Sequence, residues 1–110
     1  MAGRPDHPAL AEALQRRVLA GPGETGAALR QRVAARAAGG SAVENPYDDL
    51  ARQIGEAAYR VTDAQVASVR AAAGSERAAF ELIAAAALGA GLLRWRQAMK
   101  ALEASDDAAL

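Results

Sequence analysis

The sequence predicts an all-α domain of five helices joined by short connections, and three observations predict it. No segment sustains the period-two alternation of a half-buried strand. Alanine, the strongest helix former, fills 32 of the 110 positions. Glycine, proline and capping residues punctuate the chain at helix-length intervals. A chain of 110 residues makes one domain. It divides into an N-terminal helical pair over 1–43 and a helical core over 44–110.

The first helix runs from Pro8 to Leu19, with Leu10, Leu14 and Val18 on one line, and Gly21-Pro22-Gly23 stops it. Thr25 caps a second helix through Ala38, with Leu29 and Val33 as its apolar line and Arg30, Arg32 and Arg36 outside; Gly39-Gly40 ends it. Asn45-Pro46 starts the third as N-cap and first helical residue. Asp48 and Asp49 then suit the positive end of the helix dipole. Tyr47, Leu50, Ile54, Ala57, Ala58 and Val61 form its stripe. Thr62 with Gln65 makes a capping box for a fourth helix, which Gly74 closes. Ser75 caps the last helix, from Glu76 to about Glu103, roughly 40 Å long at about 1.5 Å per residue.

That last helix is apolar all round. Phe80, Ile83, Ala87, Gly91, Trp95, Met99 and Leu102 line one face, while Leu82, Ala85, Ala86, Gly89 and Leu93 line the opposite side. Such a helix needs cover on every side, either from the other four helices or from another subunit. The shortage of large side chains in the rest of the chain favours a homo-oligomer built through the C-terminal helix. Gly89 and Gly91 sit in a helix interior, where glycine costs about 1 kcal/mol relative to alanine. Both are expected to mark a close backbone approach, by the helix bearing Ile54 and Ala58 or by a symmetry mate, so that leucine at either position lowers the melting point or dissociates the oligomer.

Composition excludes whole classes of chemistry. With no cysteine there is no thiol nucleophile, disulfide, thiolate zinc site or iron–sulfur cluster. His7 is the single histidine, so no metal site and no cofactor are expected. Thirteen basic groups balance thirteen acids, which gives no field toward nucleic acid or an anionic membrane. The start, Met1 to Pro8, lacks the apolar run of a signal peptide. Leu82 to Leu93 is uncharged for twelve residues, short of the roughly 18–20 a bilayer needs. The expected compartment is the cytoplasm, and the alanine–arginine bias points to a GC-rich bacterial genome.

Two motif matches fail on physics. Gly21-Pro22-Gly23-Glu24-Thr25-Gly26 spells the dinucleotide fingerprint, yet a helix precedes it where the motif needs a strand, and Glu24 faces the phosphates. A helix–turn–helix over 63–75 fails because its second helix carries Glu76 and Glu81 and then turns wholly apolar. The candidate catalytic residues are Glu81, the one carboxylate in the apolar run, with Glu56 and Tyr59 as neighbours from the third helix. Burial raises the pKa of a glutamate and fits it for general-base work, whereas pairing with Arg77, four residues earlier, makes it structural.

From Leu50-Ala-Arg-Gln-Ile54 through Ala58-Tyr59-Arg60-Val61-Thr62-Asp63 to Gly74-Ser75-Glu76, Phe80-Glu81-Leu82-Ile83 and Ala85-Ala86-Ala87-Leu88-Gly89-Ala90 with Arg94, the chain resembles the carboxymuconolactone decarboxylase/alkylhydroperoxidase D-like group. The resemblance covers roughly half of the 110 residues. It implies a helical module that assembles into trimers or hexamers. The group's peroxidase members use a glutamate, a C-x-x-C pair and a histidine; this chain has no cysteine, and His7 lies outside the matching region. The expectation is a divergent oligomeric member without thiol redox chemistry, non-catalytic or binding a small molecule. Two alternatives stand beside it. One is a cofactor-independent decarboxylase or isomerase on a small carboxylated substrate; the other is a helical adaptor for a partner protein.

Overall fold

The structure is a computed structural model that describes residues 6–109. The start of the chain, Met1 to Pro5, on which the signal-peptide reading partly rests, lies outside the described residues. Five α-helices follow one another: α1 (His7–Ala20), α2 (Ala27–Ala37), α3 (Tyr47–Ala57), α4 (Asp63–Ala73) and α5 (Glu76–Ala109). No strand occurs among the described residues.

Local chemistry explains most of the boundaries. Asp6 caps α1 by accepting from the Ala9 amide at 3.1 Å. Thr62 and Gln65 exchange both hydrogen bonds of the capping box, at 3.2 and 2.9 Å. Gly74, at φ 101°, takes the left-handed conformation that ends α4. The Ser75 hydroxyl then accepts from the Ala78 amide at 3.0 Å to open α5. Four expected boundaries move, one being the end of α5, which runs on to Ala109 rather than stopping near Glu103. α2 starts after Gly26 rather than at Thr25, whose hydroxyl is engaged elsewhere. α3 starts at Tyr47, with Asn45 Oδ1 accepting from the Asp49 amide at 3.3 Å. α3 also stops at Ala57 and tightens into a 3₁₀ turn over Ala58–Arg60, which takes Ala58 off the buried stripe and leaves Tyr59 84% exposed.

α2 is the centre of the bundle: its largest interface is with α5, and α3 packs against both. The side chains between them are small. Among the described residues, eight of the fourteen buried apolar ones are alanines, and Leu82 and Val69 are the largest that are fully buried. Backbones therefore come close. A Cβ on Gly89 would meet the Ala34 carbonyl oxygen and stand 2.7 Å from its carbon; one on Gly55 would stand 2.9 Å from the Ala37 carbonyl carbon. α2 is gripped at these two points, by α5 and by α3. The close approach at Gly89 thus comes from α2, not from the helix bearing Ile54 or from a symmetry mate. At Gly91 no other helix of the bundle comes close, since nothing in the described chain lies within 4 Å of its would-be Cβ.

The two faces of α5 separate cleanly. Ala78, Ala79, Leu82, Ala85, Ala86 and Ala90 are buried, and Ile83 is half-buried. Phe80, Ala87, Gly91, Trp95, Met99 and Leu102 are exposed. Every position from 94 to 106 is exposed, because the helix runs on past the bundle. The overhang stretches the molecule to 53 Å and its radius of gyration to 16.0 Å. A compact domain of this length would give roughly 13 Å. By length and composition α5 could also cross a bilayer; in this fold its first half is the inner helix of the bundle.

Candidate functional site

The densest polar arrangement joins the α1–α2 loop to α5. Glu81, on the second turn of α5, turns its carboxylate into the loop. It accepts from the Glu24 and Thr25 amides, both at 2.9 Å, and from the Thr25 hydroxyl at 2.7 Å. Gly23 makes room, because a Cβ there would stand 2.7–2.9 Å from the carboxylate atoms. Glu24 turns away and accepts from the Ser75 hydroxyl at 2.9 Å. The Gly-x-Gly-x-x-Gly loop does present amides to an anion, and that anion is the chain's own Glu81.

This corrects the expectation of a raised pKa. The Thr25 amide, then its hydroxyl, then the Glu24 amide stabilise the charged form, and Arg30 adds attraction; partial burial opposes them and loses. The carboxyl is held down to about 2. With both oxygens engaged by loop donors, Glu81 clamps the α1–α2 loop to α5. The expected partner Arg77 does approach, at 3.5 Å, but it is exposed and secondary to the loop donors.

Arg30, expected outside, is only 4% exposed. Its guanidinium donates to Val18 O at 2.7 Å, Gly21 O at 2.5 Å and Thr25 O at 3.4 Å. It thereby satisfies carbonyls that α1 leaves unpaired at its C-terminus. One signal was present in the sequence: Arg30 lies three residues before Val33 and seven before Ala37, on the buried line of α2. Its Nε has no partner among the described residues.

The other candidates do not join Glu81. Glu56 is exposed and pairs with Arg52 at 3.5 Å on its own helix. Tyr59 stands in solvent with the Arg60 guanidinium 5.6 Å from its ring centre. No hydrogen bond or ion pair among the described residues links either to Glu81. No group of three or more acids and histidines is placed to hold a metal ion among them. A second ionic cluster ties α2 to α3. There Asp48 accepts from the Val43 amide and from Arg36, at 2.9 and 2.8 Å, and both contacts hold its pKa down.

Two open clefts flank α1. One, of about 610 Å³, lies between α1, α2 and α5, with Ala34 and Gly89 in its floor, Leu19 and Leu92 beside them, and Glu12, Gln15 and Gln31 also lining it. The other, of about 670 Å³, covers the last turn of α1 and the first of α5, and is lined by Arg16, Arg17, Ala20, Gly21, Pro22 and Arg77. Arg16 and Ala20, one turn apart, line both. Comparison with family models, with curated proteins and with solved structures finds no match to this chain.

Proposed function

We propose that the protein is a divergent member of the carboxymuconolactone decarboxylase/alkylhydroperoxidase D-like group that has lost thiol chemistry and acts as a non-catalytic, self-assembling cytoplasmic subunit. The observation that carries the reading is the outward face of α5, where Phe80, Trp95, Met99 and Leu102 are 69%, 37%, 38% and 55% exposed. Trp95, Met99 and Leu102 fall within two turns of one another, and large apolar side chains gathered on a surface mark an association site. Phe80, Gly91 and Leu102 repeat every eleven residues, about 3.67 per turn, which keeps the row on one side of a nearly straight helix. Support for the group comes from the capped Val61-Thr62-Asp63 helix, its left-handed Gly74 and the long alanine-rich helix after it. Support for lost catalysis comes from the missing sulfur and from a Glu81 carboxylate too acidic to take a proton near neutral pH.

Sedimentation equilibrium at micromolar concentration is expected to give at least twice the chain mass of 11.3 kDa. The double variant Trp95→Glu/Leu102→Glu should return it to a monomer of unchanged helicity. A wild-type monomer would overturn the reading.

A further inference from the structure

We infer that the groove along α1 binds an amphipathic monocarboxylate, with its head at Arg16, Arg17 and Arg77 and its apolar tail over Leu19 and Leu92. This site does not depend on self-assembly or on the family reading. The two clefts share Arg16 and Ala20 in their linings, which sets the cationic mouth beside the apolar cleft. Among the described residues no acid lines that mouth itself, and the carboxylates near it, Glu24 and Glu81, face Arg77 alone. Neither Arg16 nor Arg17 makes an ion pair among the described residues, and Arg77 is held only loosely, at 3.5 and 3.8 Å.

The helix dipole accounts for a basic residue in the last turn of α1, but not for Arg77, which enters from the first turn of another helix. The loop amides are taken by Glu81, which leaves guanidinium groups to recognise the anion. Their planar fork matches a carboxylate with two parallel hydrogen bonds.

The rest of the groove specifies the tail. Gln31 spends its amide on Leu19 O at 3.3 Å, and Gln15 accepts from Arg96 at 3.3 Å. One polar atom of each rim amide is therefore already engaged within the protein. Glu12, one turn before Arg16, stands at the apolar end and repels a second negative charge. The groove thus selects a monocarboxylate over a dicarboxylate. A volume of about 610 Å³ falls within the roughly 300–1,000 Å³ of small-molecule sites.

Titration calorimetry with decanoate, decanedioate and decyltrimethylammonium tests this on the full chain. Decanoate is expected to bind saturably, one per chain, with decanedioate several-fold weaker and the ammonium ligand silent. Arg16→Gln/Arg17→Gln should weaken decanoate by about tenfold, and Ala35→Leu, which fills the apolar cleft, by a similar factor. Arg60→Gln, remote from the groove, should leave it unchanged. Absent or non-saturable decanoate binding, equal affinity in the arginine double variant, or equal affinity for the ammonium ligand would each overturn the site. So would arginine-dependent binding to phosphatidylglycerol vesicles without binding of free decanoate, since the groove would then be a membrane contact.

Discussion

The inner half of α5, to Leu93, and its outer half, from Arg94, belong to one continuous helix yet use side-chain size in opposite ways. Inside, the buried face is alanine apart from Leu82, with a single glycine where α2 comes so near that a larger group has no room. Outside, the row enlarges to Trp95, Met99 and Leu102, none of them buried. Most domains keep large apolar residues within and small ones anywhere. The inversion here means that close helix approach, rather than bulky side chains, holds the bundle, and that the bulk is reserved for an outer surface. Gly89 and Gly91, two residues apart, report on the two faces.

The largest expected effect is at Gly89. Alanine there gains helix propensity but drives a methyl into the Ala34 carbonyl, and overpacking by about 2–3 kcal/mol should win. Net of a propensity gain of about 1 kcal/mol, and at roughly 4–8 °C per kcal/mol for a small domain, thermal melts should fall by about 5–15 °C. An unchanged melt would remove the tight approach and with it the contrast between the halves.

Glu81→Gln, in the inner half, should cost about 1–3 kcal/mol, because a neutral amide replaces a carboxylate facing three donors. Its pH dependence sharpens the point. A carboxyl lowered from 4.5 to about 2 on folding stabilises the native state fully above pH 4.5, and loses that contribution as pH falls toward 2. Urea titrations across that window should therefore bring wild type and variant together at the acid end. A gap independent of pH would mean that the charge is not what holds the loop.

The smallest effect belongs to Gly91. With open space around it, Gly91→Ala should raise stability by about 0.5–1 kcal/mol from propensity alone. A loss that deepens with protein concentration would instead place Gly91 inside the subunit contact.

Local signals were legible in the sequence and relative placement was not. Thr62 with Gln65, Gly74 and Ser75 act within one helical turn, so reading them needs no tertiary knowledge. Which face of α5 turns inward was hidden, since both are apolar and hydrophobicity carries no direction. Gly89 and Gly91 have the same propensity and differ only in what stands opposite. Glu81 read as a buried acid because its donors lie 56 and 57 residues away, in a loop that resembled a spacer. Arg30 was misplaced for a related reason: arginines are usually solvated, and only the nearby end of α1 makes a buried one worthwhile.

That same long span sets when the Glu81 clamp forms during folding. Closing a loop of this length costs chain entropy before any hydrogen bond is returned, whereas the caps of α4 and α5 close within a few residues. The helices and their caps come first, and the carboxylate docks together with the α2–α5 approach, because Ala34 and Gly89 close a loop of nearly the same length. Glu81→Gln should therefore divide its effect between slower refolding and faster unfolding.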